Sequence, residues 1–83
     1  MPDREDARRA IVDLLDRRAA GRTICPSEAA RVPGGEDGFR PYMDLVRAAA
    51  ADLVADGRIE VTQRGRPVEL AAARGPIRLR RLR

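Results

Sequence analysis

The sequence predicts an α+β fold, mostly α: a winged helix-turn-helix of three helices with a small antiparallel β-hairpin or sheet. Three observations predict it. Apolar residues recur at three- and four-residue steps in two stretches, Ala7, Ile11, Leu14 and Leu15, then Tyr42, Met43, Val46, Ala49, Ala50, Leu53 and Val54. A glycine-rich turn, PGGEDG (33–38), lies between a short second helix and the longer third. The last third alternates: Ile59 and Val61 against Glu60 and Thr62, then Ile77 and Leu79 against Arg78 and Arg80. A lone hairpin is barely stable in water, so it must lie on the helices.

The elements follow in order. Residues 3–20 form the first helix, with Asp3 as N-cap, Glu5 and Asp6 at the positive end of the dipole, and Gly21 as the stop. Arg9, Asp13 and Arg17 stand at four-residue spacing as a charged ladder. Thr23 and Ile24 are β-branched and read as a brief extended segment that could join the hairpin as a third strand. Pro26 then suits the first position of the second helix, Cys25 its N-cap, and Glu28 can reach back to the Cys25 N–H as half a capping box. This helix stops near Val32. The third helix covers 41–55, with Asp44, Arg47, Ala48, Ala51, Asp52 and Ala55 toward solvent. A strand covers 58–63, RGRP (64–67) is a turn, and 68–74 suggests a helical turn. The closing strand ends near Arg80, because Arg81 falls on the apolar side, and leaves a basic tail at 81–83.

Composition bounds the rest. A chain of 83 residues leaves room for one domain, 1–83. A domain of this length buries only about 60% of its unfolded surface. An alanine-rich core with two aromatic residues, Phe39 and Tyr42, adds little per residue. With no histidine and one cysteine, neither a zinc finger nor a disulfide framework can be assembled, and the single thiol suits a reducing compartment. No apolar run is long enough to span a membrane, and the charged MPDREDARR start lacks the apolar core of a secretion signal. The expectation is a cytoplasmic domain with no membrane, cofactor or metal.

The segments RTICPSEAAR, FRPYMDLVRAAAADLVADGRIEVTQRGRPVEL and ARGPIRLR resemble the bacterial family known as domain of unknown function 3253, from about residue 10 to residue 80. The resemblance implies a small bacterial winged-helix-like domain and no established activity, substrate or partner. Members of that family often have tryptophan before the arginine that begins the third helix. Phe39-Arg40 stands there in this chain, and phenylalanine fills an apolar pocket without an N–H to donate.

Charge distribution carries the functional signal. The net charge is +4, and all 17 basic residues are arginine. Residues 58–83 alone hold eight arginines against two glutamates, a balance of +6. Guanidinium forks bind phosphate oxygens in pairs. The candidate nucleic-acid contacts are therefore Arg58, Arg64, Arg66, Arg74, Arg78, Arg80 and Arg81, with Arg40 and Arg47 from the third helix. If three to five of them neutralise phosphates, log K falls against log salt with a slope of about −3 to −4. The bland alternative is an arginine-rich surface that only solubilises, and the absence of lysine favours it. The third helix also argues against major-groove reading. From 41 to 57 it has one arginine against three aspartates, and no asparagine or glutamine to read base edges. The competing class is a protein-interaction or homodimerisation module that pairs this acidic helix with the basic wing.

No catalytic group can be assembled. Cys25 at a helix N-terminus invites a thiol chemistry, but it has no histidine base and no second thiol, so the plainer reading is a small buried residue at the start of the helix. Asp52 and Asp56 share a helix face, yet two ligands are too few for a hard cation. Gly34, Gly35 and Gly38 are followed by no lysine and are not a phosphate loop. The expectation is that the protein is not an enzyme.

Overall fold

The computed structural model describes residues 3–82. Helix α1, Arg4–Asp16, is opened by a reciprocal cap: the Asp6 N–H donates to Asp3 Oδ1 at 2.9 Å and the Asp3 N–H to Asp6 Oδ2 at 3.0 Å. It buries Ala7, Ile11 and Leu15. It ends four residues before the expected Ala20, because Leu15 is the last apolar residue it can bury. The exposed residues beyond turn through Gly21, at φ +84°, toward strand β1, Thr23–Ile24. The Arg9, Asp13, Arg17 ladder does not close; Arg9 instead lies 3.9 Å from Glu5, one turn earlier.

Helix α2, Pro26–Gly38, begins as expected at the Cys25 N-cap, whose N–H donates to Glu28 Oε2 at 2.7 Å. Its first helical run passes Val32 by two residues, through Pro33 to Gly34, and is broken at Gly35 (φ +71°, ψ −173°), inside the segment expected to stop it. One further helical turn follows that break, so the PGGEDG segment separates two helical runs. Gly34 allows it: a Cβ there would lie 2.7 Å from the Phe39 Cα and 2.9 Å from Tyr42 Cδ2. A 3₁₀ turn, Arg40–Tyr42, leads into α3, Met43–Ala55, so the expected third helix starts with a tighter turn. Helix α3 buries Val46, Ala49, Ala50 and Leu53 against α1 and the sheet. Small alanines let α1 and α3 approach closely. Val54, expected on the apolar face, lies at the edge of that stripe and is exposed.

Strands β2 (Ile59–Gln63), β3 (Arg66–Val68) and β4 (Arg78–Arg81) complete an antiparallel sheet in the order β1-β4-β2-β3. Ile24 pairs with Leu79, which realises the anticipated third strand, and Val61 pairs with Leu79 on the other side. Strand β3 is an addition to the expected sheet. Arg64 (φ +53°) and Gly65 (φ +80°) make a mirror-image two-residue turn, and this tight reversal lets Arg66 pair with Gln63 within the segment read as a turn. Single helical turns follow, with the Ala72 N–H on the Glu69 carbonyl and the Ala73 N–H on that of Leu70. Strand β4 begins at Arg78 and includes Arg81, which was expected to open the tail; Arg83 lies outside the described residues. Ile24, Ile59, Val61, Ile77 and Leu79 of the sheet segment close over Ile11, Leu15 and Leu53 as one core. No helix among the described residues is long and apolar enough to cross a membrane.

Candidate nucleic-acid interface

The nine candidate arginines separate by what holds them. Arg80 on β4 faces Glu60 on β2 across the ladder and donates through Nε to Glu60 Oε1 at 2.7 Å. Arg81 donates to Asp16 at the end of α1 at 2.9 Å. These two cations are matched by the chain's own carboxylates. Arg78 reaches across to β1, with Nε on Thr23 Oγ1 at 2.9 Å and Nη2 on the Thr23 carbonyl at 3.3 Å. Its hydrogen-bond partners are neutral, and its charge acts on the Glu28 carboxylate without an ion pair between them.

Arg40 is exposed on the 3₁₀ turn, its guanidinium 5.5 Å from the centre of the Phe39 ring. Arg31 lies 4.3 Å from the same ring and donates to Ser27 Oγ at 3.0 Å. Phe39 therefore works as a cation–π platform, a role that needs no indole N–H. Arg47 is half-buried on α3, and Arg58 lines a crevice with Val12 and Leu15 of α1 and Ile59 of β2. Neither is in an ion pair among the described residues.

Arg64, Arg66 and Arg74 are the ones brought together. All three are exposed, none pairs with a carboxylate among the described residues, and they line one cleft of about 620 Å³ with Gln63, Val68 and Pro76. The tip of the hairpin supplies Arg64, β3 supplies Arg66, and the return segment supplies Arg74. Gln63 sets the cleft's width: its Nε2 donates to the Arg74 carbonyl at 2.5 Å and to the Pro76 carbonyl at 3.1 Å. That side chain was not singled out in the sequence. Its partners lie 11 and 13 residues onward in irregular backbone, with no periodic signal to expose them.

Elsewhere, acids are drawn into structure. Asp52 on α3 receives Arg4 Nε at 2.6 Å and Arg8 Nη1 at 2.7 Å, so it staples α3 to α1 and is not offered to a cation. The hydrogen bond from Arg4 holds its carboxyl below the ordinary aspartate range. Burial pushes Glu28 upward, but the Cys25 N–H and the Arg18 guanidinium at 2.5 Å together bring it below its usual value. Cys25 is half-buried where a buried thiol was expected, and its Sγ accepts a hydrogen bond from Ser27 Oγ at 3.1 Å.

The fold and this cleft define a small α+β domain that presents, on a hairpin excursion, three arginines in no ion pair among the described residues. The chain belongs to the DUF3253 family of proteins of unknown function, whose family model matches residues 4–82. No curated protein matches it.

Proposed function

We propose that this domain is a non-catalytic module that binds the phosphates of a nucleic acid through Arg64, Arg66 and Arg74. The observation that carries the proposal is the pairing pattern. Arg4, Arg8, Arg18, Arg80 and Arg81 lie against the domain's own carboxylates, whereas the three arginines of the cleft pair with none among the described residues. Like charges gathered on an exposed ribbon repel one another, and a polyanion relieves that repulsion while releasing counterions. The order helix, strand, helix, helix and two paired strands supports a winged helix in which residues 64–77 are the wing. Arg78, whose hydrogen-bond partners are neutral, flanks the wing.

The competing interaction module needs an acidic face on α3 for a basic partner. Arg4 and Arg8 cover Asp52, which leaves Asp44 and Asp56 to supply it. That weakens the case for pairing α3 with the wing of a second copy.

The test is the salt dependence of binding to a labelled oligonucleotide by fluorescence anisotropy. Three neutralised phosphates give a slope of log K against log salt of about −2 to −3, and the Arg64→Ala/Arg66→Ala/Arg74→Ala protein should lose nearly all of it. All three side chains are exposed, so the fold should survive. A flat salt dependence, or a triple variant that binds like the parent, contradicts the proposal.

A further inference from the structure

We infer that the cleft between β3 and residues 74–76 receives an unpaired nucleotide, so that the preferred substrate class is single-stranded nucleic acid rather than duplex. This rests on the phosphate-binding proposal above and specifies it.

The cleft is larger than a phosphate group needs, and Val68 and Pro76 give it an apolar patch beside its cations. Its volume of about 620 Å³ lies within the roughly 300–1,000 Å³ of sites that hold small organic ligands. Val68 and Pro76 stand in its wall beside Arg64, Arg66 and Arg74. A duplex turns phosphates and sugars outward and keeps its base faces stacked inside, so it offers nothing to cover that apolar wall. A single strand offers both the phosphate and a flat base face.

The surroundings favour the same ligand. Asp44 and Asp56, exposed on and just after α3, outnumber the lone Arg47, and these carboxylates repel a phosphate row laid along that helix. The cleft is preformed, because Gln63 ties the Arg74 and Pro76 carbonyls and the two-residue turn sets the position of Arg64. The edge of β3 does not invite a peptide strand. Arg66 and Val68 face β2 at the hydrogen-bonded positions next to the two-residue turn, so Pro67 is the residue that points outward, and it has no N–H to donate.

The experiment compares four ligands at one low salt concentration: a 12-nucleotide single strand, its duplex, an abasic strand of equal length, and inorganic polyphosphate. The single strand should bind about tenfold more tightly than the duplex, a difference that burial of some tens of Å² of base surface supplies. The abasic strand should lose that advantage, and Pro76→Ser, which strips an exposed apolar wall and keeps the backbone carbonyl, should reduce it. A duplex that binds as well as the single strand, or an abasic strand that binds as well as the intact one, overturns the inference and leaves phosphate binding standing. Failure of all four ligands overturns both.

Discussion

Arg80 lies directly across the sheet from Glu60 and donates to its carboxylate, so the most central cation of the β-ribbon is neutralised inside the domain. The positive charge left for a partner is therefore displaced outward, to the turn and the return segment. The two kinds of arginine should respond differently to substitution. Arg80→Ala should leave nucleic-acid affinity and its salt slope unchanged. It should lower stability by about 1 kcal/mol, because the half-buried Glu60 loses its partner. Chemical denaturation and binding isotherms on the same sample check both halves.

Arg64 carries a backbone cost that Arg66 does not. Its φ of +53° is the only left-handed value at a non-glycine residue among those described. Asparagine tolerates this conformation better than arginine. Arg64→Asn should therefore stabilise the protein by about 0.5 kcal/mol, a rise in Tm of about 2–4 °C, while it weakens oligonucleotide binding. A variant that gains stability and keeps full affinity would show that the tip arginine does not touch the ligand.

Acid should unfold the domain through its capped and stapled carboxylates. Asp52, Asp3 and Glu28 all titrate below their unfolded values of 3.8, 3.8 and 4.5. A depressed folded value means that the stabilisation is fully present above the unfolded value and is lost as the pH falls through the folded one. Tm should hold from pH 7 to about pH 5 and then fall steeply below about pH 4.5. Asp52→Asn should start from a lower Tm at pH 7 and show a shallower acid limb. Thermal melts followed by circular dichroism across that range measure it.

The α2 kink rests on two glycines for different reasons. Gly35→Ala meets open space but holds a side chain at φ +71° and ψ −173°, a region that is essentially glycine's own, at a cost of about 1–3 kcal/mol. Gly34→Ala has no such backbone penalty, yet its Cβ would press on the Phe39 backbone and cost about 1–3 kcal/mol in displacement. Only the second should disturb the Phe39 platform, and with it the ring-shifted resonances of Arg31 and Arg40.

Much of the architecture was legible because it rests on periodicity. The stripe from Ala7 to Leu15, the Leu53 face and the Ile59, Val61 and Leu79 positions each identify one buried side, although Thr62, expected on the opposite side of its strand, is buried as well. Strand β3 was hidden because Arg66-Pro67-Val68 is poor in strand-forming residues and pairs only through a turn that holds an arginine left-handed. The end of α1 was missed because Gly21 marks where a chain can turn, whereas burial decides where it does; the PGGEDG segment does hold the break after the second helix, at Gly35. At the site, arginines could be named but not sorted. Glu60 is 20 residues from Arg80, and Asp16 is 65 from Arg81, so which charges cancel is settled only by the folded register.

The division between matched and unmatched arginines can be observed directly from the Nε–Hε resonances of the arginine side chains during titration with a single-stranded oligonucleotide. Arg64, Arg66 and Arg74 should shift together and saturate at one stoichiometry, while Arg4, Arg8, Arg80 and Arg81 stay in place. Shifts confined to Arg40 and Arg47, or no shift at the wing while binding occurs, would contradict the assignment of the cleft as the phosphate-binding surface.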